Sequence, residues 1–101
     1  MPGGRPTTEV DRYERTAAEL ETMAADLAGR RFIGTSRSGF VRAEVTGDGL
    51  LVDITVHSDA MRQAHPQTIG PDTVEAIGLA RASAGEEGRA RADEVLGRVA
   101  E

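Results

Sequence analysis

"FVRAEVTGDGLLVDITVH", residues 40–57, decides the fold. In its first part Val41, Ala43 and Val45 alternate with Arg42 and Glu44. In its second part Leu50, Val52, Ile54 and Val56 alternate with Leu51, Asp53, Thr55 and His57. A period of two marks a strand with one dry face and one wet face. Gly47-Asp48-Gly49 lies between the two runs and supplies hairpin-turn residues. The apolar pattern also constrains the register. A two-residue loop at Gly47-Asp48 pairs Val45 with Leu50, and one at Asp48-Gly49 pairs Val45 with Val52. Either keeps apolar opposite apolar. A three-residue loop sets Val45 against Leu51 and sends the two apolar sets to opposite faces. An even loop is therefore expected, with Leu50, Val52, Ile54 and Val56 inward.

Upstream, residues 31–38 read as a short edge strand. Residues 34–39, Gly-Thr-Ser-Arg-Ser-Gly, have the glycines, hydroxyls and guanidinium of a phosphate cradle. A P-loop needs Lys followed by Ser or Thr, and neither pair is present. A nucleophile elbow needs Gly where Ser38 stands. A dinucleotide fingerprint needs a helix after the loop, and here a strand follows. The loop reads as a connector, with Arg37 a remote candidate for an anion.

Helices flank this sheet. Val10, Tyr13, Ala17, Leu20, Ala24 and Leu27 recur at alternating spacings of three and four, with Met23 widening the stripe. That is an amphipathic helix, introduced by Thr8 and Asp11 at capping-box spacing and ended by Gly29. It could lie on the sheet or pair with another helix. Residues 58–70 read as a loop with one helical turn near 59–64. A last helix is expected from about Pro71 toward the C-terminus. Its apolar positions include Val74, Ile77, Ala80, Ala84, Val95 and Leu96. Gly78, Gly85 and Gly88 weaken it, each by about 1 kcal/mol relative to Ala. A kink, fraying or a close backbone contact is expected near 85–88. The order α-β-β-β-α with one buried sheet face is an α+β architecture. Residues 1–6 are expected as a flexible arm and 7–101 as a single domain.

The chain has 101 residues and only 3% aromatics, so its core must rest on Val, Leu, Ile and Ala. Small side chains bury little area each, which favours a second subunit. The absence of cysteine rules out disulfides and thiolate chemistry. No apolar run reaches membrane-span length, and residues 1–10 lack a signal-peptide core, so the cytoplasm is the expected compartment. All 12 basic residues are arginine, and the net charge is −5. An acidic chain has little overall attraction for nucleic acid, though a local basic patch stays open.

Catalytic chemistry finds no support. His57 and His65 match no metal-site spacing, even with Asp59 nearby. Glu86-Glu87 and Asp93-Glu94 are neighbours on a helix and point in different directions. No enzyme activity, metal or cofactor is expected. The remaining signal is arginine. Arg5, Arg12 and Arg15 precede or open the first helix, while Arg89, Arg91 and Arg98 lie late in the last. They could contact phosphates, although acidic neighbours dilute both groups.

Taken together, "LETMAADL", a Phe-x-Gly-x-Ser segment, "SGFVRAEVTGDGLLVDITV" and the following "HSDAMR" resemble the YbaB/EbfC family of nucleoid-associated proteins. The likeness covers residues 9–99, and the hairpin is its most specific part. It implies an α-β-β-β-α protomer and a homodimer whose sheets join into one layer. It also implies double-stranded DNA binding by projecting helices, without catalysis. On that resemblance Arg5, Arg12, Arg15, Arg89, Arg91 and Arg98 are the candidate DNA contacts. The chain departs from the family pattern at Ser36-Arg37-Ser38, at His57-Ser58 and in its glycine-rich last helix. The alternative is a protein-interaction module of the same fold without a DNA role, such as an accessory protein of a specialised secretion system.

Overall fold

The alternating runs fold as expected: β2 (Val41–Thr46) and β3 (Leu51–Val56) form an antiparallel hairpin. β1 (Arg31–Thr35) pairs antiparallel with the other edge of β2, giving a three-stranded sheet in the order β1-β2-β3. The structure is a computed structural model that describes residues 8–63 and 66–100. Before the sheet runs α1 (Thr8–Ala28). After it come a short α2 (Ser58–Gln63), a 3-10 turn over Pro66–Thr68 and the long α3 (Ile69–Ala100). The α+β expectation holds, with α2 as the one helical turn added between sheet and last helix.

The expected even loop does not form. Gly49 N–H donates to Thr46 O at 2.9 Å, and Thr46 N–H donates to Leu50 O at 2.9 Å. The connection is the three residues Gly47-Asp48-Gly49, and Val45 does stand opposite Leu51. Gly49 takes φ +87°, the left-handed conformation that closes a three-residue hairpin loop. The inversion of faces is avoided because β3 carries one extra residue. A bulge opposite Glu44 and Val45 restores the phase, so Ala43 pairs with Ile54 and Val41 with Val56. A face count along one strand cannot reveal a bulge, which is why the parity rule failed.

The dry face of the sheet is Phe32, Gly34, Val41, Ala43 and Val45, all buried. Against it lies a row of small side chains four residues apart on α3: Ala76, Ala80 and Ala84. Residues at that spacing share one helix face, and their small size lets the backbone come close. Gly34 completes the fit. A Cβ there would overlap Ala76 O and Ala80 N and lie 3.0 Å from Leu79 Cβ. Thus a core poor in large side chains is closed by helix backbone lying almost on strand backbone.

α3 packs on β1 and β2 far more than on β3. Leu50 and Val52, expected inward, are therefore 66% and 45% exposed, while Ile54 and Val56 are half-buried. Val74, another expected core position, is also exposed. The glycines at 85 and 88 do not interrupt α3. There α3 has left the sheet and lies against α1, with Leu27 Cδ1 within 3.8 Å of where a Gly88 Cβ would stand. Tertiary contact outweighs the weak propensity.

α1 is not a helix lying on the sheet. It runs along the second half of α3 and reaches the core only through its last turns, with Leu27 buried and Met23 packed beside it. Gly47 N–H donates to Leu27 O at 3.0 Å, tying the end of α1 to the hairpin loop. The inward face of α1 is Thr16, Leu20, Met23 and Leu27. Val10, Tyr13, Ala17 and Ala24 of the expected stripe are exposed. The result is an elongated protomer, 76 × 21 × 15 Å, with a two-helix arm projecting from a small α/β layer.

Candidate nucleic-acid interface

The loop that mimics a phosphate cradle uses both of its serine hydroxyls within the fold. Ser38 Oγ donates to Asp72 Oδ2 at 2.8 Å, so the Ser36–Ser38 hydrogen bond at 2.9 Å has Ser36 as donor. Phe40 N–H donates to Ser38 Oγ, and Val41 N–H donates to Ser36 Oγ. Arg37 gives both its backbone N–H and its Nε–H to Glu75, each at 2.9 Å. The two hydrogen bonds from Arg37, backbone first, hold the Glu75 carboxyl below its usual value, and the Glu75 hydrogen bond raises Arg37. The loop is a latch between the β1–β2 turn and the first turns of α3, as the connector reading expected.

His57 Nδ1 accepts from Asp59 N–H at 3.3 Å on the exposed rim of the sheet. Among the described residues no cluster of histidine and carboxylate side chains could hold a metal ion. His65 lies outside the described residues, as does Arg5. No described helix is long and apolar enough to cross a membrane.

The other five candidate arginines sit on the arm. Arg12 and Arg15 are exposed on the first half of α1, and Arg89 is exposed on α3. None of the three has an ion pair among the described residues. Arg12 borders a surface hollow with Tyr13, Thr16 and Leu96. Arg15 stands beside Asp11 and Glu14.

Arg91 and Arg98 are placed differently. They line an open cleft between α1 and α3, of about 370 Å³, together with Glu19, Asp26 and Glu94. Arg98 donates to Glu19 Oε2 at 2.8 Å and to Glu94 Oε1 at 3.4 Å. The Glu19 hydrogen bond is the main reason that Arg98 is held more firmly protonated than a free guanidinium. Arg91 lies 3.8 Å from Asp26. At the base of the arm Arg30 donates to Glu87 at 2.6 Å and lies 5.0 Å over the Phe32 ring. Sequence reasoning missed Glu19 and Asp26 as partners. They are far from Arg98 and Arg91 along the chain, and no local pattern encodes such a pair.

The fold and its arm can now be set beside known proteins. The sequence matches the profile of the YbaB/EbfC DNA-binding family over residues 7–99. The chain belongs to this family. A solved structure of similar fold is an uncharacterized protein, HP0035, from Helicobacter pylori. The two share a TM-score of 0.74 at 14% identity, covering 92% of this chain and 99% of that one. At that identity the likeness concerns the fold alone. No curated protein matches this YbaB/EbfC-family sequence significantly. The element order, with its three-stranded open sheet and two long helices, is as the resemblance implied.

Proposed function

We propose that this YbaB/EbfC-family chain is a non-enzymatic, nucleoid-associated protein that binds double-stranded DNA as a homodimer in the cytoplasm. The family membership carries the reading. Binding is through phosphates, with Arg12, Arg15 and Arg89 as first contacts, because these exposed guanidinium groups have no ion pair among the described residues. Arg5 joins them from the N-terminal segment. Arg91 and Arg98 contribute less in the resting protein, since each already has a carboxylate partner.

The dimer supplies a second arm. Its support is the outer edge of β3, which has no strand partner among the described residues, with Leu51 and Val52 of the strand and Leu50 just before it exposed. An open, apolar edge invites another strand. A second copy added there would join the two sheets into one layer. The net charge of −5 doubles to −10 in the pair (2 × −5), so long-range attraction is weak. Binding should therefore rest on local arginine contacts and fall steeply with salt.

The test is titration of duplex DNA at low and moderate salt. The wild-type protein should bind at low salt. Arg12→Glu with Arg15→Glu should abolish binding while leaving the melting temperature nearly unchanged. Absence of binding even at low salt would remove the DNA reading. A second reading, a protein-interaction module of the same fold, is favoured by Tyr13, 78% exposed, and Val10, 48% exposed, on an acid-rich helix. It predicts no DNA binding at low salt and a stoichiometric protein complex that survives nuclease and is lost with Tyr13→Ala.

A further inference from the structure

The cleft between α1 and α3 holds two arginines that face carboxylates of their own chain. Arg98 reaches Glu19 at 2.8 Å, and Arg91 lies 3.8 Å from Asp26. Glu94, on α3 itself, is the third carboxylate at 3.4 Å from Arg98. A carboxylate and a phosphate present the same kind of acceptor to a guanidinium fork. The cleft is open along its length, and all four paired side chains remain partly exposed. Exposed ion pairs of this kind are weak and exchange partners readily.

Apolar residues also line the inside of the arm, with Leu27 and Val95 buried and Leu20 and Met23 half-buried. Glu19 and Asp26 add negative charge where a DNA-binding arm would gain from its absence. On the α1 side, the charged groups lining the cleft are only these two carboxylates.

We infer that the α1–α3 cleft is a self-masked phosphate site, in which Glu19 and Asp26 occupy Arg98 and Arg91 as stand-ins for the DNA backbone. The inference rests on the DNA reading above. Phosphate at sufficient local density displaces the carboxylates, and the arm then contributes two more contacts. Affinity is thereby restrained in the resting protein, and it rises when the carboxylates are neutralised or outcompeted.

The experiment first compares three forms of the 101-residue chain in duplex-DNA titrations across salt: wild type, Glu19→Gln with Asp26→Asn, and Glu14→Gln with Glu21→Gln. The last pair removes the same charge from α1 at residues that have no ion pair among the described residues. Unmasking should tighten binding roughly tenfold at low salt. It should also steepen the slope of log affinity against log salt by about 1–2, since Arg91 is freed fully while Glu94 stays beside Arg98. The control pair should tighten binding less and leave the slope unchanged. Adding Arg91→Gln and Arg98→Gln to the unmasked protein should erase the gain, with helix content monitored by circular dichroism. If wild type binds and the two neutralised proteins behave alike, masking is wrong and the DNA reading stands. If no protein binds at low salt, both fall.

Discussion

Replacing Gly34 by Ala adds one methyl group at the closest approach of α3 to the sheet. Gly34 does not have a positive φ, so the backbone itself accepts alanine and the cost is steric alone. The new Cβ would overlap Ala76 O and Ala80 N, which are helix backbone and cannot rotate away. The helix would have to retreat by about 1 Å, enough to forfeit a quarter to a half of the dispersion energy across the gap. That gap lies over Val41, Ala43 and Val45, the three buried apolar residues of β2. Overpacking of this kind costs about 3 kcal/mol. For a domain of this size the melting temperature should fall by about 12–24 °C. Gly78→Ala is the matched control, since a Cβ there meets nothing within 4 Å. On a helix interior it should gain about 0.5–1 kcal/mol. Urea and thermal unfolding, at matched protein concentration in case of dimerisation, measure both. A Gly34→Ala protein within about 0.5 kcal/mol of wild type would show that α3 does not seat on β1 as described.

Two other outcomes follow from the latch and the open edge. Glu75 has a lowered folded-state pKa from its Arg37 hydrogen bonds, so its stabilisation is full above the ordinary glutamate value of about 4.3 and is lost as pH falls through the lowered one. Glu75→Gln should therefore lower stability at neutral pH and flatten the acid limb of the urea midpoint against pH; an unchanged limb would exclude the latch as its source. Light scattering after size exclusion should give a dimer at micromolar concentration and a monomer for Val52→Arg, and a monomeric wild type would contradict pairing through β3.

The unequal fate of the two helical stripes explains where reading the sequence stopped. For α1 the periodicity correctly gave a helix from Thr8 to Ala28 with Gly29 at its end. It gave the contact face only in part: Leu20, Met23 and Leu27 turn inward as expected, while Val10, Tyr13, Ala17 and Ala24 are exposed. For α3 the large residues misled. Val74 is exposed, while Ala76 is fully buried because close approach favours the smallest side chain. The candidate site divides in the same way. Arg12, Arg15 and Arg89 could be named as exposed bases from local pattern, and they are exposed. The capture of Arg91 and Arg98 by α1 depended on how two distant helices are aligned.

What the sequence alone determined is local: two alternating strands, a glycine hairpin, two long helices and hence the family and the fold class. These are set by periodicity and turn chemistry within some twenty residues of chain, where the backbone geometry leaves few choices. The tertiary structure decided the rest. It absorbed the three-residue loop with a bulge, lifted α1 from the sheet onto α3, left β3 uncovered and closed two arginines with carboxylates. Each of these compares energies between segments far apart in the chain, and the pattern within a segment carries no record of that comparison.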